Sequence, residues 1–204
     1  MTKYPRIKRA LSWLRVLPAV YFVRRLLSLS SFVLIYKSLL FYFYNYWLTR
    51  FPCHALRVAY LRYILGLEIG EQTFIHMGCL FYAGVKIGRN SVIGRECHLL
   101  GDITIRNNVS ITAQTYIFSA THDKDSPDFS AYSKPVIIED YAWIGARAMV
   151  LPGVRIGKGA ILGSASTATR DIPDFCISAG SPAKKIGQRS RDLTYKLVYF
   201  PYFQ

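Results

Sequence analysis

Residues 69–92 read IGEQTF, IHMGCL, FYAGVK and IGRNSV in four consecutive groups of six, and an apolar residue opens each group. The same position stays apolar through nine groups in a row, ending at Ile117, and through six more groups from Ile138 to Ala168. A period of six is neither the 3.6-residue period of a helix nor the two-residue period of a strand. Self-similarity at this short period indicates an all-β parallel β-helix, in which each coil of chain stacks on the one before.

The fifteen apolar positions, here called the ladder, also predict the size of the domain. Three groups of six make one triangular coil, so the ladder predicts about five coils over residues 69–173. The ladder residues pack on one another along the centre of the stack, because a single coil buries nothing by itself. Glycine often follows a ladder residue directly, as at Gly70, Gly88 and Gly145. These glycines are predicted to supply corners that need unusual backbone angles.

The ladder is interrupted once, between Ile117 and Ile138. The interval of 21 residues is not a multiple of six, so residues 119–135 are predicted to leave the coil stack as an extruded loop. Function tends to lie on loops that a rigid scaffold positions. His122 is the one histidine of this loop. An imidazole with a pKa of about 6.5 is suited to take a proton from a hydroxyl group near neutral pH, so His122 is a candidate general base.

The chain before the ladder is basic and aromatic. Residues 1–68 hold 11 of the 26 Lys and Arg residues and only one acid, Glu68, and they contain half of the aromatic residues. We predict that residues 1–50 form a helical, membrane-associated region. Residues 26–48 are long enough to cross a bilayer, but Lys37 and a narrow polar stripe favour a shallow or hairpin position at the membrane interface. A water-soluble helical cap packed on the β-helix is the alternative.

Two further segments flank the β-helix. Residues 51–68 begin at the break Phe51–Pro52 and predict a short amphipathic helix that caps the open edge of the first coil. Residues 174–204 are predicted to form a C-terminal tail. Its aromatic end packs either on the β-helix or on the membrane, and the sequence leaves both open.

The composition argues against three other kinds of site. The four cysteines show no CxxC spacing, and Cys79 and Cys97 are predicted to stack in adjacent coils as small buried thiols rather than as a disulfide. The histidines lack the close pair of a metal site on this fold, so we predict no metal. The excess of basic residues is interleaved with long apolar runs, which a membrane surface explains better than a nucleic acid does.

Four motifs carry a resemblance to a known family. They are ATHD at residues 120–123, KPVIIEDYAWIG at residues 134–145, LPGV at residues 151–154 and AGSPAK at residues 179–184. Together they resemble the hexapeptide-repeat acyltransferases. Within that family the chain is most similar to the maltose and galactoside O-acetyltransferases and to the acetyltransferases of bacterial exopolysaccharide and capsule synthesis. The resemblance covers residues 50–190.

The resemblance implies a left-handed β-helix that forms a homotrimer, with acetyl-CoA as the acyl donor and the active sites between subunits. His122 matches the catalytic histidine, and the backbone N–H of Ala146 matches the donor to the oxyanion. The positions that match acetyl-CoA-binding residues of the family are Trp143, Ala146, Gly163, Ser164, Thr169, Arg170, Lys184 and Lys185.

The chain departs from the family where sugar acetyltransferases place an asparagine that binds the acceptor. Glu96 is the nearest equivalent here, and its carboxylate could accept hydrogen bonds from sugar hydroxyls. Asp123 and Asp128 are further candidates, either as acceptor-binding groups or as partners of His122.

We therefore predict an acetyl-CoA-dependent O-acetyltransferase that modifies a hydroxyl group of a glycan or lipid-linked sugar. The basic aromatic N-terminal region indicates the cytoplasmic face of the bacterial inner membrane. An acetyltransferase for a small diffusible acceptor, such as serine, a sugar or an antibiotic, is the alternative enzyme. A non-catalytic membrane scaffold is the alternative of another class.

Overall fold

The computed structural model describes residues 29–199, with side chains from residue 32. Residues 1–40 and 41–204 form two units. The predicted region 26–48 contains helix α1, Leu29–Tyr46, which a short 3-10 turn at Leu48–Arg50 follows. Residues 1–28 of the predicted N-terminal region and the last five residues of the tail lie outside the described part.

The chain from Glu68 onward is a parallel β-helix, as the six-residue period predicts. Its strands build three sheets, one on each side of the coil, in which strands one coil apart are neighbours. The first sheet contains β1 (Glu68–Ile69), β4 (Val85–Ile87), β7 (Ile103–Ile105), β12 (Val136–Ile138) and β15 (Arg155–Ile156). The second contains β2 (Phe74–Ile75), β5 (Val92–Ile93), β8 (Ser110–Ile111), β13 (Trp143–Ile144), β16 (Ile161–Leu162), β18 (Cys176–Ala179) and β19 (Lys184–Gln188). The third contains β3 (Leu80–Phe81), β6 (His98–Leu100), β9 (Tyr116–Phe118), β14 (Met149–Val150) and β17 (Thr167–Ala168).

The register of the strands explains the ladder. Ile69 pairs with Ile87 and Ile87 pairs with Ile105, each one coil of 18 residues further on. Across the interruption Ile105 pairs with Ile138, so the stack continues in register after the extra residues. Fourteen of the fifteen ladder residues are buried, and Ile69, in the first coil, is half-buried. The ladder is the hydrophobic core of the β-helix.

The glycines beside the ladder serve a different purpose from the predicted one. Positive φ angles at the corners belong largely to other residues, such as Gln72 and Arg147, and not to Gly70 or Gly145. A Cβ atom at Gly70 would lie 2.4 Å from the backbone nitrogen of Arg89 in the next coil, and a Cβ at Gly145 would lie 2.4 Å from that of Ser164. Glycine is required there because successive coils approach too closely for any side chain.

The N-terminal cap covers the edge of the first coil with side chains in place of a strand. It consists of the end of α1, the 3-10 turn, helix α2 (His54–Ala59) and a π-helical turn (Tyr60–Ile64). Asn45 bonds both the N–H and the C=O of Phe81, at 3.0 and 2.9 Å. Thr49 donates to Cys79 O at 2.7 Å. The unpaired N–H and C=O groups of an exposed strand edge can pair with a strand of another chain. Here the side chains of the cap bond these groups in place of such a strand.

The same cap contains a fully buried arginine. Arg57 donates to Phe51 O and, at 2.9 Å, to Ile75 O. His54 accepts a hydrogen bond from the N–H of Ile75 at 3.2 Å and stacks on Phe74. Burial, with a smaller contribution from Arg57, lowers the pKa of His54 to about 4, so the imidazole is neutral at pH 7 and can accept.

The parallel stacking continues beyond the predicted boundary at residue 173. Strand β18 pairs in parallel with β16, and β19 then turns back antiparallel to β18. The tail that follows runs back along the second sheet, where Tyr199 packs edge-on against Phe74. Of the two possibilities left open for the tail, its described part packs on the β-helix.

Cys79 and Cys97 are buried free thiols, as the sequence predicts. Among residues 29–199, no helix has the length and the apolar character that crossing a membrane requires.

Candidate active site

The interruption of the ladder is an antiparallel β-hairpin that leaves the coil between β9 of the third sheet and β12 of the first. Its strands are β10 (Ala120–His122) and β11 (Ala131–Ser133). At its base Lys134 N donates to Ser119 O at 2.8 Å, and the Ser119 and Ser133 hydroxyls lie 3.0 Å apart. Ser119 is itself buried, and its Oγ accepts from Asp102 N at 2.7 Å. The hairpin therefore stands on a base that is hydrogen-bonded to the rigid coil.

His122 ends the first strand of this hairpin, and its imidazole is held in one orientation. Its Nδ1 lies 2.9 Å from the carbonyl oxygen of Phe129, and its ring stacks on the Phe129 ring at 4.2 Å and 8°. A carbonyl oxygen only accepts hydrogen bonds, so the neutral imidazole carries its proton on Nδ1. The lone pair of Nε2 is then free to take a proton from another group. His122 is exposed, as a group that meets a substrate must be.

Asp123 and Asp128 shape the tip of the hairpin and do not bond His122. Asp123 Oδ1 accepts from Asp125 N at 3.0 Å. Asp128 accepts a hydrogen bond from the Ser126 hydroxyl, which is the main reason that its pKa lies below the ordinary value. The orienting partner of His122 is therefore the Phe129 carbonyl and neither carboxylate.

Ala146 is half-buried at a corner of the fourth coil, directly after Gly145. Gly145 brings this corner against the next coil, where Ala165 N donates to Ala146 O at 2.8 Å. At a corner of the third coil, the corresponding N–H of Asn107 donates to the Asp140 carboxylate. Within residues 29–199 the N–H of Ala146 has no such acceptor. An N–H group in this state can donate to a developing negative charge.

The residues that match acetyl-CoA-binding positions lie near this corner and toward the C-terminal end of the stack. Trp143 is 46% exposed, and its Nε1 donates to Thr112 Oγ1 at 3.2 Å. Gly163 and Ser164 form the same corner one coil further on. Thr169 and Arg170 are exposed at the end of β17, and the exposed Lys184 and Lys185 lie on β19. No described contact within one chain joins these residues to His122.

Glu96 lies in a row of three side chains that the sequence did not predict. Gln114 Nε2 donates to Glu96 Oε2 at 2.9 Å, and Arg147 Nε donates to Gln114 Oε1 at 2.8 Å. All three residues have a positive φ angle and occupy the same corner of successive coils. The row borders a cavity of about 590 Å³ whose walls also include Asn45, Thr49, Arg50, His98 and Tyr116. Glu96 therefore faces a space large enough for a sugar.

Sequence reasoning missed Phe129, Thr112, Gln114 and Arg147. The spacing contains a signal for Gln114, which follows Glu96 by one coil of 18 residues. It also contains one for Arg147, which has the same position in the next coil, after the hairpin. Nothing in the spacing indicates that the Phe129 carbonyl turns back onto His122, because this depends on the path of the hairpin. In the described part of the chain, no group of three His, Cys, Asp or Glu side chains could hold a metal ion.

The second half of the ladder matches a known protein family. Residues 135–169 match the family described as bacterial transferase hexapeptide (six repeats). Among relatives, a galactoside O-acetyltransferase of Lactococcus lactis is 39% identical over 126 residues, which are 56% of this chain and 59% of the relative. Another relative is the acetyltransferase WcaF of Escherichia coli K12, which is named for colanic acid biosynthesis. It is 28% identical over an alignment that spans 64% of this chain and 74% of WcaF.

A comparison with solved structures gives the same result. A hexapeptide-repeat-containing acetyltransferase of Vibrio cholerae is 26% identical, with a TM-score of 0.66 over 76% of this chain and 89% of that one. That protein has also been solved with acetyl coenzyme A. These matches confirm the resemblance to the hexapeptide-repeat transferases that the sequence predicts. The proteins to which the chain is similar include a galactoside O-acetyltransferase and an acetyltransferase named for colanic acid biosynthesis.

The extent of the sequence matches is limited. The alignments span 59% of the L. lactis relative and 52% of a Schizosaccharomyces pombe relative, little more than half of their length.

Proposed function

We propose that the protein is an acetyl-CoA-dependent O-acetyltransferase, with a hydroxyl group of a glycan or lipid-linked sugar as its acceptor. The observation that carries this proposal is the orientation of His122, whose Nδ1 faces the Phe129 carbonyl at 2.9 Å and whose Nε2 is left as the basic atom. The family match and the relatives named for sugar and polysaccharide acetylation support the same chemistry.

The reaction follows from these groups. Nε2 of His122 takes the proton of the acceptor hydroxyl while that oxygen attacks the thioester carbon of acetyl-CoA. The resulting oxyanion accepts a hydrogen bond from the N–H of Ala146. As the C–S bond breaks, the imidazolium returns the proton to the CoA thiolate, so the products are an acetyl ester and CoA. A neutral imidazole with a free Nε2 is the form that can start this sequence.

The acyl donor fits the exposed corner of the β-helix on two grounds. Trp143 and Ser164 are exposed on successive coils at this corner, where the close approach at Gly145 and Gly163 holds the coils together. Arg170, Lys184 and Lys185 add positive charge at the C-terminal end, where the phosphates of CoA would lie. Since no contact within one chain joins these residues to His122, we propose that the site is completed between subunits of a homotrimer.

Acetyl-CoA should stabilise the protein if it is the donor. A ligand at about 100 times its dissociation constant stabilises the folded state by about 2.7 kcal/mol. We therefore expect acetyl-CoA to raise the melting temperature measured by differential scanning fluorimetry, and the variant Lys184→Gln/Lys185→Gln to need a higher concentration for the same shift. The matched control is Lys158→Gln/Lys196→Gln, which removes two lysines outside this set. A wild-type melting temperature unchanged by acetyl-CoA would favour a non-catalytic scaffold.

We further propose that the protein acts at a membrane surface, as expected for the cytoplasmic face of the inner membrane. In support, the cap exposes large apolar side chains, including Tyr46, Trp47 and Tyr63 at 68, 69 and 80%. Amphipathic aromatic rings beside basic residues suit the membrane interface.

This membrane proposal predicts binding to vesicles of phosphatidylcholine with phosphatidylglycerol in a flotation assay. The variant Trp47→Ser/Tyr63→Ser should float at least several-fold less than the wild type, because it removes two exposed rings from the cap. Tyr132→Ser, at an exposed ring on the hairpin, should float like the wild type. Equal flotation of both variants would contradict membrane contact through the cap.

A further inference from the structure

The cavity beside Glu96 is bordered by several positive charges, although a neutral sugar carries no charge that would pair with them. Its walls include Arg50 and Arg147, and a second cavity of about 260 Å³ shares Arg50 and Glu96 with it and adds Arg95. Three arginines and one carboxylate therefore line the two cavities. Among the residues described, none of these arginines forms an ion pair, and the Nε of Arg147 is bonded to the neutral amide of Gln114.

Another part of the cavity wall is suited to a sugar ring. His98 and Tyr116 are half-buried, and their rings meet edge to face at 4.6 Å. Burial lowers the pKa of His98, so this wall is uncharged at neutral pH. Together with the Glu96 carboxylate and the Gln114 amide, the wall offers an apolar face and hydrogen-bonding groups to one ligand.

We propose that this cavity binds the sugar of a phosphate-bearing acceptor and that Arg50 and Arg95 hold the phosphate. The planar guanidinium group matches the geometry of phosphate oxygens, and two or three such groups suit an anion with several oxygens. This inference rests on the proposed function, because it names the acceptor class for the same site. Arg147 directly follows Ala146, so the cavity adjoins the corner assigned to the oxyanion.

The position of Arg50 also connects the cavity with the aromatic surface of the cap. Arg50 ends the 3-10 turn between Trp47 and Phe51, whose side chains are 69 and 45% exposed. A phosphate held by Arg50 therefore lies at the boundary between the polar cavity and an apolar surface. A sugar phosphate attached to a lipid and a free sugar phosphate share this chemistry, and the test has an arm for each.

The test measures binding to the full-length protein by isothermal titration calorimetry, with glucose 1-phosphate and glucose as a matched pair. The second arm measures flotation with phosphatidylcholine vesicles with and without polyprenyl phosphate. We expect Arg50→Gln/Arg95→Gln to weaken the phosphate-dependent binding at least tenfold. The control Arg89→Gln/Arg191→Gln removes two exposed arginines outside both cavities and should bind like the wild type. If Arg50→Gln/Arg95→Gln loses binding to glucose 1-phosphate in the calorimetric arm, the ligand is a free sugar phosphate. If this variant loses only the binding to vesicles with polyprenyl phosphate, the ligand is a lipid-linked sugar phosphate.

Two results would overturn the inference: no preference of the wild type for phosphate-bearing probes in either arm, or equal binding by the two double variants in both arms. Stabilisation by acetyl-CoA is measured on the same samples. It checks that the variants are folded, and it separates the two proposals. A wild type that binds phosphate but gains no stability from acetyl-CoA would contradict the proposed function alone.

Discussion

Replacing His122 by alanine is expected to lower the kcat/KM for acetyl transfer by about 10² to 10⁴, the usual contribution of a positioned general base. The reason is that the alanine leaves no group to take the proton of the acceptor hydroxyl, whereas the proposed oxyanion donor, the N–H of Ala146, is unchanged. The measurement is acceptor-dependent release of CoA thiol from acetyl-CoA by the purified protein.

The control for this variant is Lys124→Ala. Lys124 lies at the tip of the same hairpin, and among residues 29–199 its one ion pair is with the neighbouring exposed carboxylate of Asp125. Its loss should leave the kcat/KM within about twofold of the wild-type value, since surface pairs of this kind contribute little. A His122→Ala protein that turns over as fast as Lys124→Ala would show that the imidazole is not the base.

Replacing Arg57 by methionine is expected to lower the free energy of unfolding by about 2 to 4 kcal/mol. The side chain is fully buried and satisfies the carbonyl oxygens of Phe51 and Ile75. Methionine keeps much of the apolar stem but leaves both carbonyl groups without this donor, at about 1 to 3 kcal/mol each. Burial also lowers the pKa of Arg57, so removing the charge offsets part of this loss. Urea unfolding followed by circular dichroism measures the difference.

Arg62→Met is the matched control for Arg57→Met. Arg62 belongs to the same cap and also donates to two carbonyl groups, those of Ile69 and Gly70, at 3.0 and 2.8 Å. It is only half-buried, so water can replace its hydrogen bonds, and we expect a loss below about 1 kcal/mol. Equal losses for the two variants would contradict the view that burial makes Arg57 the central donor of the cap.

The core of the β-helix could be predicted from the sequence because one short repeat defines both its period and its inner face. Ladder residues 18 positions apart, such as Ile93 and Ile111, are direct neighbours in the structure. The interval between Ile117 and Ile138 likewise predicted where the chain leaves the stack. The repeat also shows which positions hold glycine, but it does not show why glycine is needed there. Whether a glycine serves a backbone angle or a close approach depends on the position of the next coil.

The edge of the stack was less predictable. The repeat indicates that a cap is needed, but Asn45 bonds Phe81 across 36 residues and His54 bonds Ile75 across 21. These contacts depend on how the helices meet the first coil, and no local pattern encodes that arrangement.

For the candidate site, the sequence indicates some groups and cannot indicate others. His122 stands out because it is the one histidine in the interruption of the ladder, whereas its partner is a backbone carbonyl, which any residue could supply. For the same reason Asp123 and Asp128 were candidates on their chemistry, although they bond the hairpin tip. Arg50 and Arg95 come together at one cavity only because the cap folds over the corner of the second coil.

The most direct measurement follows the acetyl group itself. The full-length protein is incubated with acetyl-CoA carrying a labelled acetyl group and with a glycan and glycolipid fraction from bacterial envelopes. We predict that the wild type transfers label to this fraction as an ester that mild alkali releases, and that His122→Ala transfers at least a hundredfold less in the same time. Label that resists alkali, or equal transfer by the two proteins, would contradict an O-acetyltransferase that uses His122 as its base.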